Sequence, residues 1–162
     1  MKSTKIKNEV IIELNEAEQR LVRFISKERF ERHRDNLQGK NHQSLQQVVE
    51  GLGGEFAFCK LFNLYPDISV EPHKEDTGDC GTHGKRIDVK TTQYENGNLV
   101  IVPWKDISKI DYFALMIGTF PKYTYKGLMS SDQAKIDENL TDLGHGKVYL
   151  IKQDKLIQKI NL

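Results

Sequence analysis

The chain has 162 residues, with 24 Lys and Arg against 23 Asp and Glu, a formal net charge of +1, and an apolar share of 38% that reaches about 45% once glycine is counted. This composition excludes disordered and fibrous classes and predicts one domain over 1–162 with a core of its own. The longest apolar run, 112–117, is far short of the roughly 18 residues that cross a bilayer, and no apolar h-region follows Met1-Lys2-Ser3-Thr4-Lys5, so no membrane association is expected. Cys59 and Cys80 lack the paired spacing of a zinc site, in a chain long enough to need no staple. That predicts a reducing, cytoplasmic (intracellular) compartment.

Glu9 to Leu14 is a β-branched run that reads as a strand or extended arm. Asn15 follows as a helix cap with acids at Glu16 and Glu18, and Ala17, Leu21, Phe24 and Ile25 recur at helical spacing. A helix to about Asp35 is expected, ahead of Gly39. Across 20–40, Arg20, Arg23, Lys27, Arg29, Arg32, Arg34 and Lys40 outweigh Glu28, Glu31 and Asp35. Such a stretch either faces phosphates or is a solvated face of i,i+4 pairs. Ser44 caps a second helix, in which Leu45, Val48, Val49, Leu52, Phe56, Cys59 and Leu61 recur to about Asn63. Gly51, Gly53 and Gly54 inside it each cost about 1 kcal/mol relative to alanine, which predicts close approach of another backbone or a kink beside a site. Glu55 comes directly after them.

Residues 66–85, rich in Asp, Gly, Pro and His, read as loop with a short strand at 68–70. Residues 86–92 alternate, Asn96-Gly97 is a hairpin dipeptide and 99–102 is β-branched, so two antiparallel strands are expected there. A helical turn over 105–109 precedes 112–117, apolar on both faces as a mid-sheet strand is. An edge strand over 122–129, a short helix over 130–140 and a final strand or hairpin over 147–151 and 156–157 complete the chain. The fold class is α/β (α+β mixed), one central mixed sheet with two helices on its first face.

The chemistry concentrates in Asp76-Thr77-Gly78-Asp79 and Ile87-Asp88-Val89-Lys90-Thr91-Thr92. On a strand Asp88 and Lys90 share a face while Ile87 and Val89 face a core, so the charged face is solvent or a cleft. With Asp79 on a preceding arm, two carboxylates converge, and a hard cation such as Mg²⁺ resolves their repulsion. A lysine beside that ion can hold or deprotonate a water and stabilise charge on a scissile phosphate.

These residues resemble the PD-(D/E)XK nuclease superfamily, whose fold is restriction-endonuclease-like. Asp88-Val89-Lys90 is similar to its (D/E)-X-K element, Asp79 to the preceding motif aspartate, and Glu55 in Gly-Gly-Glu-Phe-Ala to the acid many members carry on the helix before the sheet. The likeness covers a core of about 44–120, with a strand and helix extension over 1–43 and C-terminal strands over 121–162. It implies that Asp79, Asp88 and the Val89 backbone carbonyl bind Mg²⁺ (Mn²⁺ as a substitute), with Glu55 as a further ligand and catalytic acid, and that Lys90 positions water. Asp76 competes with Asp79 for its role. Gln93 lies where some relatives place a useful glutamine, and Arg20, Arg23, Lys27, Lys85 and Arg86 are candidate nucleic-acid contacts.

The expected activity is metal-dependent hydrolysis of DNA phosphodiester bonds, of a structure-selective, recombination and repair, or phage-borne kind. RNA stays open as a substrate, and such enzymes often form a homodimer to cut two strands. Two rivals stand beside it: an inactive nucleic-acid-binding module of the same fold, and a protein-interaction domain in which Asp88 and Lys90 are surface charges. His73 and His83 read as solvated loop residues rather than ligands, Cys59 as a core thiol and Cys80 as an incidental loop thiol. Trp104, Tyr94, Tyr123 and Tyr125 read as core or sheet-edge aromatics rather than base-stacking platforms.

Overall fold

The computed structural model describes residues 9–34, 43–71, 78–82 and 84–158. Asp76, His73 and His83 lie outside them. Strand β1 (Val10–Glu13) leads into helix α1 (Glu16–Arg34). Asn15 opens α1 reciprocally: its Oδ1 accepts from the Glu18 N–H at 2.9 Å, and its own N–H donates to the Glu18 carboxylate at 2.6 Å. Helix α2 (Leu45–Phe62) starts with the matching Ser44–Gln47 capping box and ends at Asn63 in the left-handed region.

The next strands are β2 (Cys80–Thr82), β3 (Lys85–Thr92), β4 (Leu99–Ile101), β5 (Tyr112–Thr119) and β6 (Lys122–Ser130). The short helix α3 (Ser131–Ala134) and a single 3-10 turn precede β7 (Leu140–Asp142) and β8 (Lys147–Ile151). A mixed five-stranded sheet has the order β1-β6-β5-β3-β2, with β3 and β5 parallel and the other pairs antiparallel. The strands do not all join the expected single sheet: a second, three-stranded sheet has the order β4-β8-β7.

Several expectations are corrected. Residues 86–92 and 99–102 do not form a hairpin: β3 already has β2 on one edge and β5 on the other, so β4 joins the second sheet. Neither Asn96 nor Gly97 has the positive φ that a tight primed turn requires. Strand β6 is internal rather than at an edge, because the N-terminal β1 returns to pair Val10 with Tyr125 and Glu13 with Lys122. Residues 68–70 form no strand, and 105–109 form no helix, only loop and a turn closed from Ile107 to Ile110.

The sheet has a core on each face. Ile87 and Val89 of β3, with Ala114, Met116, Tyr123 and Tyr125, pack under Val49, Leu52, Phe56 and Phe58 of α2 and under Val22 and Ile25 of α1. On the opposite face, Phe113, Leu115 and Ile117 of β5 meet Leu99, Ile101 and Ile151 of the second sheet. No described helix is long and apolar enough to cross a membrane.

The α2 glycines set how closely the helix approaches the sheet. A Cβ at Gly53 would stand 2.3 Å from the Tyr123 hydroxyl, and one at Gly54 would stand 2.0 Å from Thr91 Oγ1. The close approach is therefore to side chains of β6 and β3 rather than to another backbone.

Candidate functional site

Asp79 sits where β2 gives out. Its N–H donates to the Ile87 carbonyl at 2.8 Å, extending the β2–β3 ladder by one residue. Its Oδ2 then accepts the Val89 N–H at 2.6 Å, so a carboxylate stands in for the next backbone acceptor on the edge of β3. In an antiparallel ladder a residue's N–H and C=O leave the same edge, which turns the Val89 carbonyl toward Asp79 as well. Gly78 makes this approach feasible, having φ +85 and no Cβ to strike the Ile87 carbonyl at 2.8 Å.

Asp88 lies on the face opposite the helices, in register with Phe113, and is 2% exposed. The charged face of β3 is thus buried at this point rather than open to solvent. Lys90 Nζ lies 2.5 Å from one Asp88 oxygen and Lys105 Nζ lies 2.5 Å from the other. Lys105 comes from the loop after β4, whose carbonyls at Pro103 and Lys105 accept from Lys135 Nζ at 3.0 and 2.6 Å. Lys105 was expected only as the start of a helical turn over 105–109, and nothing in the chain, where it lies 15 residues beyond Lys90, ties it to Asp88.

Glu55 projects from α2, on the helix side of the sheet, with Arg29 of α1 at 4.0 Å. The Arg29 guanidinium also donates to the Asp67 and Ser69 carbonyls at 2.8 Å each. The three acids therefore wrap around one edge of β3: Glu55 from the helix side, Asp79 at the edge and Asp88 from the opposite face. Burial, then the negative charge of Asp79, holds the Glu55 carboxyl well above the usual carboxylate range, and Arg29 opposes this. Burial, followed by the charge of Asp88, pushes Asp79 up to about 7, against the Val89 N–H and the two lysines.

The donor set is all oxygen, which suits a hard divalent cation. Two of its members have carboxylate pKa values raised by burial and mutual repulsion, so the site is short of positive charge and the residues fit such an ion. Both Asp88 oxygens are on ammonium groups here, and among the described residues no three His, Cys, Asp or Glu side chains are gathered as a ready ligand set. A cation on Asp88 has to displace at least one ammonium.

The other candidates disperse. Arg20 pairs with Glu16 and Lys27 with Glu31 along α1, at 4.0 and 3.9 Å. Arg23 stacks over the Phe120 ring at 4.7 Å. Lys85 faces Asp111 at 4.0 Å at the start of β3, about 17 Å along the strand from Lys90. Arg86 lines a cleft with Asp79, and Gln93 lines another with Lys90. Cys80 is a buried strand thiol, not a loop one, and its hydrogen bond with Cys59, together with burial, drives the Cys59 pKa up. Tyr123 and Tyr125 are core, whereas Tyr94 and Trp104 are exposed. No protein-family model, curated protein or solved structure matches the chain.

Proposed function

We propose that the chain is a Mg²⁺-dependent deoxyribonuclease of the PD-(D/E)XK kind, with a restriction-endonuclease-like core. The observation that carries the reading is that Glu55, Asp79 and Asp88 flank the Val89 edge of β3 from its two faces and its rim, with Lys90 on Asp88. Asp79, Asp88 and the Val89 carbonyl would hold the ion, with Glu55 as a further ligand. When bound, the ion supplies Lewis-acid polarisation of a phosphate and a more acidic water.

The chain's own groups supply the rest. Lys90, with its side chain 37% exposed and its head on Asp88, reaches both the buried acid and solvent, so it can orient the attacking water and stabilise charge on the phosphate. Lys105 pairs the second oxygen of the buried Asp88, so the carboxylate has a positive partner on each oxygen. Burial of Asp88 under the second sheet excludes water from its flank, which strengthens both pairs.

Cleavage of single-stranded, duplex, nicked and branched DNA, and of RNA, with Mg²⁺ or Mn²⁺ tests the reading. The parent is expected to cut DNA, and Asp88→Ala and Lys90→Ala each to lose about 10²-fold or more while retaining native circular dichroism. A folded parent that binds DNA and cuts nothing is a binding module instead. One that neither binds nor cuts overturns the nucleic-acid reading.

A further inference from the structure

Two clefts flank the amino-terminal half of α2. One, of about 490 Å³, runs between α1 and α2 past Arg29, His33, Gln43, Gln47 and Gly51 to Glu55. The other, of about 460 Å³, runs between α2 and the end of β3, past Gln43, Gln47 and Gly51 to Lys90, Thr92 and Gln93. They share Gln43, Gln47 and Gly51, so both border the same stretch of α2.

Gly51 differs from its two neighbours. Gly53 and Gly54 are required by Tyr123 and Thr91, but no described atom lies within 4 Å of where a Gly51 Cβ would stand. Glycine inside a helix is less stable than alanine, so neither packing against the described residues nor helix propensity accounts for it. A missing Cβ on a helix face that borders two clefts lets a ligand backbone come against the helix.

We propose that the two clefts are one track for a single polynucleotide strand, whose sugar–phosphate backbone crosses α2 at Gly51 on its way past Lys90; this rests on the nuclease reading. The lining suits a strand of mixed sequence. The amides of Gln43, Gln47 and Gln93 both donate and accept, and a cation paired with an acid stands at either end, Arg29 with Glu55 and Asp67 and Lys90 with Asp88. The acids on the track are engaged: Glu50 accepts the Phe120 N–H at 2.6 Å and Glu55 faces Arg29.

The test measures anisotropy of a fluorescein-labelled oligonucleotide, as a single strand and as a duplex, with Ca²⁺ in place of Mg²⁺. Cleavage with Mg²⁺ is measured in parallel. Gly51→Ala is expected to melt about 2–4 °C higher than the parent and yet bind severalfold more weakly. Gly51→Leu is expected to bind at least about tenfold more weakly and to cut more slowly. Gln46→Leu, on α2 but outside both clefts, is expected to bind like the parent. Parent-like binding by Gly51→Leu, or an equal loss in Gln46→Leu, overturns the track and leaves the nuclease reading intact. A lower melting temperature in both Gly51 variants also overturns it, because packing then requires the glycine. A parent that neither binds nor cuts any substrate removes the nuclease reading and the track with it.

Discussion

Asp79 is a ladder acceptor for Val89 and also a buried acid beside Asp88. Its pKa rises on folding from an ordinary 3.8 to about 7, so between those values the folded chain holds a proton that the unfolded chain releases. The folded state then binds more protons, and stability falls as pH rises through that window. Urea unfolding in metal-free buffer is expected to show the parent losing stability from about pH 4 to pH 7. Asp79→Asn, which cannot ionise, is expected to show a flatter profile; an equal slope in both would remove the assignment. Asp88 and Lys90 were legible because a strand's period of two puts residues i and i+2 on one side. Lys105 was not, because only the return of the loop after β4 brings it to Asp88, and loops carry no period.

Among the elements, α2 owes its seat on the sheet to Gly53 and Gly54. Gly54→Ala drives a methyl group into Thr91, whose β-branched side chain has little room to turn, and is expected to cost about 1–3 kcal/mol in urea unfolding. Thr91→Ala removes Oγ1 and Cγ2 and leaves only Cβ at 3.0 Å, so the double variant is expected to recover part of that loss, and strict additivity would count against this packing. Both long helices were legible from their caps, Asn15 and Ser44, and from apolar spacing. Strand pairing was not: the partner of β1 is more than 100 residues away in the chain, and nothing local to Val10 specifies Tyr125. The Asn96-Gly97 pair misled because a dipeptide describes a turn, whereas the occupancy of both edges of β3 decides where the next strand goes.

For the whole molecule, a site with three acids around one strand edge gains stability from a divalent cation that binds only the folded state. The melting temperature of the parent is expected to rise with Mg²⁺ or Mn²⁺ and to rise more at pH 8 than at pH 6, since ionised Asp79 is the better ligand. Asp88→Ala is expected to lose this response; an unchanged parent melt would argue against an ion at these acids. The Lys105–Asp88 pair has a mechanical side. Asp88 belongs to the first sheet, while Lys105 hangs from a loop of the second, itself pinned by Lys135, which stacks over Tyr149 of β8 at 5.5 Å. One carboxylate is thereby the rivet between two layers, and whatever draws Lys105 away from it also unfastens the second sheet from the first at that corner.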